Sequence, residues 1–94
     1  MNKDYYRKRI TDKRKEIVGL RADMAKKKED KTKRLQSIAD RIKSASSASS
    51  KESYRKQKIS EGERYSREIE HLKDKIESVK KEMESYKKSL ASAK

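Results

Sequence analysis

His71 is the single histidine of the chain, and it stands between Glu70 and Leu72. An imidazole beside a carboxylate is raw material for general acid–base work or for holding a metal. Neither chemistry finds its other parts here. There is no cysteine and no second histidine, so thiolate and bis-imidazole metal sites lack ligands. The acidic residues are spread along the whole chain, with no segment to bury two of them as a pKa-tuned pair. The two glycines, Gly19 and Gly62, stand alone, so no glycine-rich loop cradles a phosphate. The expectation is a non-enzyme without cofactor or metal, with His71 at the surface.

The cations raise a different possibility. The formal net charge is +13, of which residues 1–47 carry +9 and residues 48–94 carry +4. Such a potential attracts polyanions. The Lys26-Lys27-Lys28 run could track phosphates, and Tyr5 and Tyr54 could stack on bases. Against this, acids are interleaved throughout and Glu29-Asp30 follow the lysine run directly. That pattern reads more simply as the solvated face of a helix. Nucleic acid is therefore a possible partner but not the favoured one.

Composition restricts the elements that could position any of these residues. Charged residues make up 48% of the 94, apolar ones 30%, and Phe, Trp and Pro are absent. Too little apolar surface is available for a globular core to offset chain entropy. Disorder or long helices sharing a narrow apolar seam remain, and the lack of Pro with only two Gly favours helices. No run approaches the roughly 20 apolar residues of a membrane span, and no apolar stretch follows the basic start as in a secretory signal. A cytoplasmic protein is the default, with signal-less secretion left open.

From Tyr65 the apolar residues form a heptad series: Tyr65, Ile69, Leu72, Ile76, Val79, Met83, Tyr86, Leu90 and Ala93 alternate at spacings of four and three. That is a left-handed coiled-coil seam. The first half is less regular, with Tyr6, Ile10, Ile17, Leu20 and Met24 followed by Leu35, Ile38 and Ile42. The halves are out of phase, a slip that one continuous helix would have to absorb. Folding the chain so that facing residue numbers sum to 96 removes the conflict. Ile10 then faces Tyr86, Ile17 faces Val79, Leu20 faces Ile76, Met24 faces Leu72 and Tyr6 faces Leu90. The same register puts Lys27 opposite Ile69, Lys31 opposite Tyr65 and Arg34 opposite Gly62. Lysine stems can lie over a seam with their heads in water, and Lys31 over Tyr65 would make a cation–π contact.

The expected fold is therefore all-α, an antiparallel two-helix coiled-coil hairpin that oligomerises into a helical bundle. Residues 1–43 form the first helix, the Ser/Ala-rich stretch 44–53 the turn, and residues 54–94 the second helix. Asn2 is the expected first N-cap and Ser49, with Glu52, the expected capping box of the second helix. The interaction seam comprises Tyr6, Ile10, Ile17, Leu20, Met24, Leu35, Ile38, Ile42, Tyr65, Ile69, Leu72, Ile76, Val79, Met83, Tyr86 and Leu90. Its well-packed end is the open end, and its cation-rich middle is soft. So thin a seam calls for a second copy of the chain or another helical protein to cover its edges.

The opening MNKDYYRKRITDKRKEI and the closing KISEGERYSREIEHLKDKIESVKKEMESYKKSL, joined by a Ser-rich break, resemble the N-terminal coiled-coil region ahead of the TIR domain in many bacterial TIR-domain proteins. The resemblance covers nearly the whole chain, and Tyr-Tyr-Arg-Lys and Glu-Arg-Tyr-Ser-Arg-Glu-Ile-Glu are its more particular parts. It implies a defence or signalling protein in which the coiled coil sets assembly and a following TIR domain cleaves NAD or binds a partner. No TIR residues are present, so no catalytic residue carries over. Under that resemblance the chain is an N-terminal fragment or a truncated form, and SLASAK reads as a boundary as much as a terminus. Two alternatives come from other classes. Small helical hairpins of this length also resemble the partner proteins of bacterial type VII secretion, although their Trp-x-Gly turn is missing. A basic nucleic-acid-binding hairpin is the third.

Overall fold

The computed structural model describes residues 2–93. Helix α1 spans Lys3–Ser44 and helix α2 spans Ala48–Ser92, and no strand occurs among the described residues. The protein is an all-α two-helix hairpin. Met1 and Lys94, where the two helices were expected to begin and end, lie outside the described residues.

Local chemistry accounts for the helix ends. The Tyr5 N–H donates to Asn2 Oδ1 at 3.0 Å, and Asp4 lies in the first turn, where a carboxylate faces the positive end of the helix dipole. At the other end of α1, Arg41 and Lys43 occupy the last turn. The Ala45 N–H donates to the Arg41 carbonyl at 2.9 Å and closes the final turn.

The turn is shorter than expected. Only residues 45–47 separate the helices, and residues 48–53, assigned above to the turn, are helical. The cap is Ser47 in place of Ser49: its Oγ accepts the Ser50 N–H at 3.1 Å, and its carbonyl accepts the Lys51 N–H at 3.1 Å. Ala48 through Ser53 contain no helix breaker, so once Ser47 satisfies the first orphan donors nothing delays propagation. No described residue has a positive φ. The reversal needs no left-handed backbone, which is why Ser and Ala serve where Gly would otherwise be required.

Two compact units make up the hairpin, one formed by residues up to Met24 and from His71 on, the other by Ala25–Glu70. In the first, Ile17, Ile76 and Val79 are buried together, with Leu20, Met24 and Met83 packed against them. Ile10 is buried there too. These contacts hold the expected register, since Ile17 with Val79 and Leu20 with Ile76 are facing pairs. In the second unit Ile38 is the one buried side chain, and it is fully enclosed. No residue from Met24 to Leu35 or from Glu61 to Leu72 is buried, as the run of cations in that stretch led one to expect.

Both glycines lie inside helices. Gly19 has open space around a Cβ position. Gly19→Ala therefore removes a helix-interior penalty of about 1 kcal/mol without a clash. For a chain of this size the expected result is a melting temperature raised by about 4–8 °C. An unchanged or lowered value in a circular-dichroism melt would show that this part of α1 is not helical.

Candidate functional site

Ile17, Leu20, Met24, Ile76, Val79 and Met83 pack together. All sixteen seam residues are buried or half-buried. Five of them, Ile10, Ile17, Ile38, Ile76 and Val79, are buried, and the others keep part of their surface in water. Tyr54 was placed off the seam. It is half-buried as well, because helix α2 begins six residues before the expected start and carries Tyr54 into a position matching Ile42. The signal was available, since 42 and 54 also satisfy the register.

Tyr5 lies off the seam, as one of the two tyrosines that could stack on bases. It is 39% exposed, yet its ring stands edge-on to Tyr6 at 5.4 Å and to Tyr86 at 6.5 Å. Arg9 completes this cluster. Its Nε and Nη2 donate to the Tyr86 hydroxyl at 3.2 and 3.1 Å, and its guanidinium lies 5.3 Å from the ring centre. The bond to the phenol oxygen holds the Arg9 pKa above its ordinary value.

The cations flanking the seam do more than cover it. Lys13 pairs with Glu82, Lys27 with Glu68 at 3.0 Å, and Arg34 with Glu61. In each pair the residue numbers sum to 95, one short of the seam register. Arg34 binds Glu61 through two parallel bonds, Nε to Oε1 at 2.8 Å and Nη2 to Oε2 at 3.1 Å, the fork geometry that suits a guanidinium. These partners replace the expected ones. Lys27 does not simply lie over Ile69, because an acid one residue round the facing helix offers its ammonium a charge-assisted contact. Arg34 leaves Gly62 for Glu61, and Leu35 is what lies over Gly62. Lys31 donates to Ser66 Oγ at 2.9 Å. Lys27 and Arg64 take its expected place over the Tyr65 ring, at 6.0 and 4.9 Å.

Several acids feel these cations. The hydrogen bond from Arg34 holds the Glu61 carboxyl below its usual value of 4.5. The Lys27 ammonium does the same for Glu68, and Lys33 for Glu29, its neighbour one turn earlier on α1. A carboxylate with a depressed folded-state pKa contributes stability above its unfolded value and loses that contribution as pH falls through the folded value. The melting temperature should therefore hold from neutral pH down to the ordinary carboxylate range and decline below 4.5. The double substitution Glu61→Gln and Glu68→Gln should flatten that acid limb. An acid limb as steep as the parent's would mean that these two pairs contribute nothing to it.

Among the described residues no group of three or more His, Asp and Glu is placed to hold a metal ion. His71 is exposed. Among the described residues no helix is long and apolar enough to cross a membrane. No family model matches the chain, and neither does any curated protein or any solved structure.

Proposed function

We propose that this chain is a non-catalytic association module, a helical hairpin that pairs with itself or with another helical protein and so positions an attached or partner domain. One observation supports this reading above others: most of the seam remains half-covered after the two helices pack. Leu20, Met24, Leu35, Leu72, Met83 and Leu90 are each only partly buried, and Val18 and Ile59 are 65% and 63% exposed. Every 100 Å² of such apolar surface withdrawn from water by a second helix pair is worth about 2.5 kcal/mol before the costs of association. The resemblance of both ends to the N-terminal regions of bacterial TIR-domain proteins fits the same role. Clustering alone raises the effective concentration of whatever domain is attached.

Sedimentation over a wide concentration range, at low and high salt, tests the proposal. The expected result is a mass that grows with concentration and survives high salt, since apolar contacts are not screened. A chain that stays folded and monomeric throughout removes self-assembly and leaves only a heteromeric partner. Assembly that dissolves in salt points to pairing of charges instead of the seam.

A further inference from the structure

Within Ala25–Glu70 the two edges of the helix pair are unlike. Lys27 with Glu68 and Arg34 with Glu61 close one edge by ion pairs. The other edge has no such closure. There Lys31 meets the short Ser66 side chain, and Leu35 lies over the bare backbone of Gly62, where even a Cβ would stand 3.8 Å from both of its methyl groups. Gly62 and Ser66 keep this edge low. The result is an open groove of about 690 Å³, walled by Leu35 and by Ile59, an isoleucine left 63% exposed.

The rim of this groove is basic. Lys31, Lys58 and Arg67 surround it, and Glu63 is the one acid in its lining. Lys31 donates to a neutral hydroxyl, and Lys58 and Arg67 make no ion pair among the described residues. Lys27 and Arg34, which flank the other edge of the same unit, are tied into ion pairs, so the groove edge differs from it in carrying three cations with no carboxylate of the described residues at ion-pair distance. From Lys58 to Arg67 the groove follows α2 for about 14 Å at 1.5 Å per residue, a length suited to two or three turns of a docking helix.

We propose that this groove receives an acidic amphipathic helix of a partner protein, with an aliphatic side chain covering Leu35 and Ile59 and carboxylates reaching Lys31, Lys58 and Arg67. Charge selects this occupant over a second copy: the same patch brought against itself would set three cations against three cations, and like charges in register disfavour association. The inference rests on the association reading and gives one of its surfaces a partner class.

The test uses the full chain and a labelled synthetic helix carrying leucines one turn apart flanked by glutamates, followed by fluorescence anisotropy. Saturable binding is expected, weaker by about tenfold or more for the same peptide with glutamines in place of glutamates. Lys58→Glu with Arg67→Glu should weaken binding by a similar factor, and Ile59→Ser should weaken it as well. All three positions are exposed, so the hairpin itself should melt as the parent does. Binding indifferent to Ile59→Ser would reduce the groove to general charge attraction and overturn the proposal. A single-stranded oligonucleotide of matched charge that displaces the peptide would reassign the patch to nucleic acid. Loss of self-association on Ile59→Ser would assign it to a second copy. A chain that assembles in sedimentation but ignores the peptide loses the groove and keeps the association reading. A monomer that binds the peptide keeps the groove and loses self-assembly.

Discussion

Ile76→Ala is expected to lower the melting temperature by about 10 °C or more. Ile76 is 5% exposed and sits in a cluster of buried side chains with Ile17 and Val79. Truncating a buried Ile to Ala commonly costs about 2–5 kcal/mol, from lost transfer energy and from the cavity left behind. For a chain of this length each kcal/mol moves the midpoint by about 4–8 °C. A hairpin with so few buried residues belongs near the low end of the usual 5–15 kcal/mol of stability, so the loss is a large share of the whole. Val18→Ala is the control: Val18 is 65% exposed, and surface changes of this kind stay within about 0.5 kcal/mol. Equal shifts from the two variants in a thermal melt would show that the register placing Ile76 inside is wrong.

Ile38→Asp is expected to abolish the cooperative transition of Ala25–Glu70. Ile38 has no exposed surface, and it is the one buried side chain of its unit. An uncompensated charge at a buried site costs about 3–5 kcal/mol, in a unit whose remaining seam residues are only half-covered. Ile38→Val, which trims one methylene, should cost only about 0.5–1.5 kcal/mol. Hydrogen exchange is the direct readout. Amides of this unit should lose protection in Ile38→Asp and keep it in Ile38→Val. Unchanged protection in the aspartate variant would mean that Ile38 is not enclosed in solution.

The phase slip between the halves carried most of the fold. Heptads from Tyr65 to Ala93 require a partner stripe, and a first half out of step with them can supply it only by turning back. Burial of Ile17, Ile76 and Val79 in one cluster follows from that arithmetic. The helix boundaries were harder to read. Ser44 to Ser53 is a run of Ser and Ala with Lys and Glu at its end, residues that tolerate helix and cap alike. Propensity alone could not say which serine would stop accepting the helix and start capping the next one.

The sequence by itself determined that this protein is built of long helices and one narrow seam. Those are consequences of spacing and composition, and spacing survives whatever the surroundings do. Only the tertiary structure decided where the flanking charges go. Lys13, Lys27 and Arg34 each had acids within reach on their own helix or across, and the choice of Glu82, Glu68 and Glu61 depends on side-chain directions that exist only once two helices are placed against each other. The same placement closed one edge of Ala25–Glu70 with ion pairs and left the other low at Gly62 and Ser66. A helix written as a sequence has neither edge until its neighbour is in position.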